Sequence, residues 1–183
     1  MSHRIVCTAV LFLLGTTFAY AEVVDSSSLG FTVKAAFNIQ AAPDEVYRKL
    51  LEIGQWWDST HTFSHDAHNL SIEARPAGCF CETLPNGGGV RHMEVVNVAP
   101  GRTLRMSGGL GPLQGMASAG SMTIGLSPAP AGTELELTYA VAGYLPAGMN
   151  TLATPVDSVL TDQFNRLKNF IERGDPAKAP KPK

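Results

Sequence analysis

Residues 154–174 read Thr154-Pro155-Val156-Asp157-Ser158-Val159-Leu160-Thr161-Asp162-Gln163-Phe164-Asn165-Arg166-Leu167-Lys168-Asn169-Phe170-Ile171-Glu172-Arg173-Gly174. Val156, Val159, Leu160, Phe164, Leu167, Phe170 and Ile171 recur at a period of 3.6, the pattern of a long helix with one apolar face. Thr154, Pro155 and Asp157 read as cap, first-turn proline and N3 acid, and Gly174 as the stop. Residues 149–153 offer an alternative earlier turn of the same helix, kinked at Pro155. A helix this apolar must lie against a second layer.

The upstream chain supplies that layer. From Phe31 to Ile39, apolar residues alternate with others, the period of a half-buried strand. A short amphipathic helix follows, with Pro43 at N1, Asp44 and Glu45 in its first turn, Val46, Leu50, Ile53 and Trp57 at helical spacing, and Gly54 as an early C-terminal stop. Strand-length runs then lie at Cys79–Leu84, Val90–Val98, Thr103–Met106, Ser118–Leu126 and Glu134–Val141. Asn86-Gly87-Gly88-Gly89, Pro100-Gly101 and Pro128–Gly132 separate them as turns. Strands joined by tight turns pair antiparallel. The reading is an α+β chain: strand, short helix, five or six antiparallel strands, long C-terminal helix, with the sheet curved around that helix.

The N-terminus has a different character. Arg4 precedes an apolar run from Ile5 to Phe18 and then Ala19-Tyr20-Ala21, which together read as a signal peptide over residues 1–21. The run is shorter than the ~20 apolar residues that span a bilayer. A domain is expected over residues 22–174 and a Pro- and Lys-rich disordered tail over 175–183. Removing residues 1–21 leaves 13 basic against 16 acidic residues, a net charge of −3. A mildly acidic chain without a basic cluster gives no electrostatic footprint for nucleic acid. Oligomeric state and pathway are not encoded in any recognisable signal.

Several stretches resemble the START/Bet v 1-like (SRPBCC) superfamily, which includes polyketide cyclases and Hsp90-activator-like C-terminal domains. Ala42-Pro43-Asp44-Glu45-Val46-Tyr47 is similar to the opening of its first helix, and Trp56-Trp57 to the exit. Gly78-Cys79-Phe80-Cys81-Glu82, Glu94 to Leu104, and Gly132-Thr133-Glu134-Leu135 to Tyr139 are similar to three of its strands, in the family's order. Met93 stands where that pattern usually has Gly. The resemblance implies a helix-grip fold with a deep, mostly apolar cavity between sheet and long helix. It implies a small hydrophobic ligand as partner and no cofactor. An Hsp90-directed role conflicts with an export signal.

Within that frame, Trp57, Phe63, Phe80, Met106, Met122 and Tyr144 are expected to wall the cavity, with Glu82 and His92 as its polar contacts. The family pattern places Phe80 and Glu82 inward, and Cys79 and Cys81 side by side on the outer face. A disulfide between them, a metal or redox role, and inert thiols are the three alternatives; extended backbone puts the pair near the upper limit of disulfide geometry. His92 shares strand parity with Val90, Glu94 and Val96, and an acid/base set of Glu82 and His92 is weighed against an ordinary strand histidine. His61, His65 and His68 at i, i+4 and i+7 would share a face if helical, as a zinc or copper site requires, but Thr60, Thr62, Ser64 and Asn69 make the segment a polar loop. Gly108–Gly115 separates strands, so it reads as a loop at the cavity mouth and not a nucleotide loop. No nucleophile elbow, zinc-protease or C-x-x-C motif is present.

Three functions compete on these grounds: a binding module, a cavity enzyme of cyclase, dehydratase or hydrolase type, and a partner-binding envelope protein. Export to the periplasm or beyond is the first testable expectation. Intact mass of the exported protein should match a chain beginning at Glu22; a full-length mass in the soluble fraction would refute cleavage.

Overall fold

Period-two alternation of apolar side chains builds most of the molecule. The structure, a computed structural model, describes residues 20–177, so nearly all of the expected signal peptide and residues 178–183 of the expected tail lie outside the described residues. The described residues form eight strands: β1 (Tyr20–Ser27), β2 (Gly30–Ile39), β3 (Leu70–Ile72), β4 (Cys79–Thr83), β5 (Gly89–Ala99), β6 (Thr103–Ser107), β7 (Ala117–Ala129) and β8 (Gly132–Tyr144). They form one antiparallel sheet in the order β1-β2-β8-β7-β6-β5-β4-β3. Among the described residues there are also two α-helices, α1 (Pro43–Leu51) and α2 (Ala153–Arg173). This is the helix-grip α+β fold.

Helix α2 packs on the inner face of the sheet because its stripe meets the sheet's buried row. Phe164 stacks on Phe37 of β2 with ring centroids 5.9 Å apart, and Leu160 and Leu167 are buried beside it. Gly174 ends the helix in the left-handed conformation at φ 70°, which suits a residue without a Cβ. The start differs from the cap expected at Thr154. A 3-10 turn at Met149–Leu152 leads into α2, Leu152 is the cap residue, and no side chain caps it. Pro155 therefore sits in the first turn, where its missing N–H costs no helical bond.

Strand β1 was not expected. It pairs with β2 along one side only and its residues from Asp25 to Ser27 are exposed, so burial imposes no alternation on its sequence.

Helix α1 places the aromatic loop. Trp56 is buried, and its Nε1–H donates to the carbonyls of Lys49 and Leu50 at 3.1 and 3.3 Å, satisfying the helix end. From the other side, α2 fixes the same loop with polar groups. Buried Gln163 accepts from the Asp58 N–H at 2.8 Å, and Arg166 Nε donates to the Trp56 carbonyl at 2.9 Å.

Phe164 also meets Trp56, centroids 5.8 Å apart, so it bridges sheet, helix and loop. Phe164→Ala should cost about 3–5 kcal/mol in unfolding free energy, as a large-to-small change in a filled core. Denaturant titration measures it; a loss below about 1 kcal/mol would contradict this packing.

Candidate functional site

The site begins with one extra residue in β5. Phe80 of β4 opposes Met93, but the next residue, Cys81, opposes Arg91, so the register skips His92. This bulge turns two consecutive residues, His92 and Met93, into the interior. Simple parity had grouped Glu94 with His92. The bulge instead leaves Glu94 half-buried, with its carboxylate 3.0 Å from Arg91. On β4 the expected alternation holds: Phe80 and Glu82 are buried, while Cys79 and Cys81 lie half-buried on the other face.

Cys79 and Cys81 are joined as a disulfide, with Cα atoms 5.4 Å apart. A fully extended strand would hold them about 6.6 Å apart. The strand is drawn in beside the bulge, to a separation within the usual disulfide range.

Glu82 and His92 meet inside. His92 Nε2 lies 3.0 Å from Glu82 Oε2, with both side chains almost fully removed from solvent. Two further donors reach the carboxylate from the loop after α1: Phe63 N–H at 3.1 Å and Ser64 N–H at 2.5 Å. Burial alone would raise the Glu82 pKa, but hydrogen bonds from Ser64, Phe63 and His92 outweigh it and hold the carboxyl below its ordinary range. Burial pushes the His92 pKa down, against an opposing pull from Glu82. The pair is thus a carboxylate and a neutral imidazole. An ionised carboxylate only accepts, so Nε2 carries the ring proton and Nδ1 is left with a lone pair. Nδ1 is buried without a hydrogen-bond partner.

His92 forms part of the wall of a cavity of about 340 Å³ between the sheet, the loop after α1, residues 110–116 and the first turns of α2. Of the residues expected there, Trp57, Phe63, Phe80 and His92 line it. Phe80 is the centre of this wall, its ring 4.9 Å from that of His92 and 5.9 Å from that of Trp57. Glu82 does not line the cavity; it stands behind His92. Met106 and Met122 also differ from expectation: they face each other across β6 and β7 and are packed into the core away from the cavity. Tyr144 is 72% exposed, because the inward residues of β8 are the odd-numbered ones and Tyr144 falls on the outer face.

That same parity brings in Tyr139, which was not singled out from the sequence. It is buried against the cavity, accepts from the Leu110 N–H at 3.0 Å and donates to the Gly108 carbonyl at 3.1 Å. Burial pushes its phenol pKa up to about 12, so it stays protonated. Gly120 makes room for it, since a Cβ there would lie 2.6 Å from the Tyr139 ring. Tyr139 thus holds the Gly108–Gly115 loop, which supplies Leu110, Gly111, Pro112 and Leu113 to the wall. Val156, Val159 and Leu160 add the α2 side. The alternating run Leu135, Leu137, Tyr139 was the available signal for this tyrosine.

The three loop histidines are dispersed. Ser59–His61 and Ala67–Asn69 are separate 3-10 turns, so the i, i+4, i+7 spacing does not create a common face. His61 lies at the exposed rim of the cavity, His65 has a left-handed backbone at φ 59°, and His68 pairs with Asp66 at 2.8 Å. Among the described residues no three metal-ligating side chains gather.

Comparison with known proteins fits this architecture. A family model described as "Polyketide cyclase / dehydrase and lipid transport" matches residues 30–172. None of the curated proteins compared with the chain matches it. Among solved structures, a protein from Mesorhizobium loti is 21% identical, covering 79% of this chain and 98% of its own, with a TM-score of 0.57. CalU16 from Micromonospora echinospora is 18% identical, with coverage of 91% and 88% and a TM-score of 0.58. The Aha1 dimer from Colwellia psychrerythraea is 17% identical, with coverage of 78% and 97% and a TM-score of 0.55. At these identities the structural likeness speaks for the fold alone. The family match, spanning β2 to the end of α2, carries the assignment: the chain belongs to the polyketide cyclase / dehydrase and lipid transport family.

Proposed function

We propose that this protein is an exported binding module for a small hydrophobic or amphipathic ligand held between the sheet and α2. The observation that carries this reading is the cavity of about 340 Å³, walled mainly by apolar side chains, with the His92 imidazole set into that wall. Binding sites of this kind combine an apolar enclosure with a few placed polar groups. The family description, which includes lipid transport, is in keeping with it. Export rests on the residue 1–21 pattern and is supported by the Cys79–Cys81 disulfide, a bond that persists in oxidising compartments. Residues 22–174 form the binding domain in this reading. Among the described residues no helix is long and apolar enough to cross a membrane.

The buried Glu82–His92 pair favours a second reading, a cavity enzyme of cyclase, dehydratase or hydrolase type. His92 would take a proton at Nδ1 while Glu82 holds the tautomer and stabilises the imidazolium that forms. Turnover of a candidate substrate that is lost in Glu82→Gln with binding retained would favour it over the carrier.

A solvatochromic apolar dye should bind the mature protein one to one. Val159→Trp, which extends a half-buried α2 side chain into the cavity, should weaken that binding about tenfold or more with the circular dichroism spectrum unchanged. Unaltered dye affinity in Val159→Trp would place the binding site elsewhere.

A further inference from the structure

A disulfide between residues i and i+2 is a poor staple. Cys79 and Cys81 lie on one strand, so their bond joins no two elements, and β4 is already fixed by its pairing with β3 and β5. Closing so short a loop also removes the least freedom from the unfolded chain.

Its position fits another use. The bond is open to reagents on one side and borders the cavity wall on the other. Cys79 and Cys81 are half-buried on the outer face of the sheet, and Ser71 and Arg91, which oppose Cys81 from β3 and β5, are exposed. Between the two cysteines Phe80 points inward, its ring against those of His92 and Trp57 in the wall. The register of β4 on β5 skips His92 between Phe80 and Cys81, so the bond spans the bulge that places His92 inside. It holds the Cα atoms on either side of Phe80 5.4 Å apart, where extended strand would set them about 6.6 Å apart.

We infer that Cys79–Cys81 is a redox-active bond, opened by an external dithiol, whose state sets how tightly the cavity holds an apolar ligand. This regulation acts on the site of the binding reading above and rests on it. A thiolate of the dithiol attacks Cys79 Sγ, the Cys79–Cys81 bond breaks, and its electron pair leaves on Cys81 Sγ. Arg91 stands opposite Cys81 and Glu94 opposite Cys79, so the cation favours Cys81 as the leaving thiolate. The second thiol of the reductant then attacks its partner sulfur in the mixed disulfide and releases Cys79. The reductant departs as a disulfide, and the protein gains two electrons and the two protons that the reductant's thiols give up. With the bond open, β4 is free to extend, and Phe80 is no longer held against His92 and Trp57. A ligand must then order that ring as it binds, so affinity falls.

Dye titration of the unaltered protein, oxidised and after dithiothreitol treatment under native conditions, tests this switch. Alkylation and intact mass should count two new thiols, mapped to the peptide carrying Cys79 and Cys81, with the circular dichroism spectrum unchanged. Dye affinity should fall about two- to tenfold on reduction, the worth of ordering one side chain, and return on reoxidation. Hydrogen exchange over residues 79–94 should be faster in the reduced form, a readout that needs no ligand. Cys79→Ser/Cys81→Ser should show the reduced affinity and ignore dithiothreitol. Resistance of the bond to dithiothreitol short of unfolding, loss of the fold on reduction, or equal dye affinity in the two states would each overturn the inference. So would a response retained in the double variant. Failure of the dye in both states would overturn the binding reading itself; unchanged exchange over residues 79–94 would then overturn the switch as well. The measurements on the unaltered chain are decisive whether or not the variant folds.

Discussion

A single buried carboxylate organises the site. Glu82 accepts from the backbone of Phe63 and Ser64 and from the ring of His92, so it ties β4 to the loop after α1 and to β5 at once. At its start the same loop is held by Gln163 and Arg166 of α2, and by Trp57, whose Nε1–H donates to the His61 carbonyl. Its side chains satisfy themselves locally, as Asp58 does with Thr60 and Asp66 with His68. Without the carboxylate, the Phe63 and Ser64 N–H groups would lose their acceptor, and nothing would fix the tautomer of His92.

A second set of polar contacts seats the other wall. Gln163 and Arg166 of α2 reach the backbone of Asp58 and Trp56, and Tyr139 reaches the backbone of Gly108 and Leu110. Each is a side chain bonded to main chain of an irregular segment. That is the expected division of labour: helix and strand satisfy their own backbone, and loops beside a cavity must borrow partners. Apolar packing positions α2 on the sheet through Phe37, Phe164 and Trp56, while these polar contacts decide where the loops stop short of filling the space between.

Much of this was legible in the sequence. The α2 stripe, the period-two strands, and the turns at Asn86–Gly89 and Pro100-Gly101 all rest on local patterns that the structure reproduces; Asn86 and Gly101 take the positive φ such turns require. The inward face of β4 was legible through the family resemblance, and it brought Glu82 and His92 together as candidates. What escaped has a common cause. The bulge at His92 is a register event between two strands and leaves no mark in either strand alone. Met106 and Met122 share the inward face of the sheet with Phe80, but inward means core over some strands and cavity over others, and only the placement of α2 separates the two. Tyr144 was misplaced by ignoring strand parity that the run through Tyr139 already carried. The unexpected β1 is an exposed edge, where burial writes no pattern.

The pair at the centre is hard to explain as a stability device. A buried ion held by hydrogen bonds is often no better for stability than an apolar replacement of the same volume. Had this region served only to close the core, a leucine and a phenylalanine at positions 82 and 92 would have done so without an orphan nitrogen. The loop could then have been held by its turns and by Trp57, whose Nε1–H already donates to the His61 carbonyl at 3.1 Å. The carboxylate does what an apolar residue cannot: it gives the Phe63 and Ser64 N–H groups a common acceptor and fixes which imidazole nitrogen carries the proton. The fold itself hosts many functions; what this chain sets into it is a buried carboxylate–imidazole pair behind a largely apolar wall.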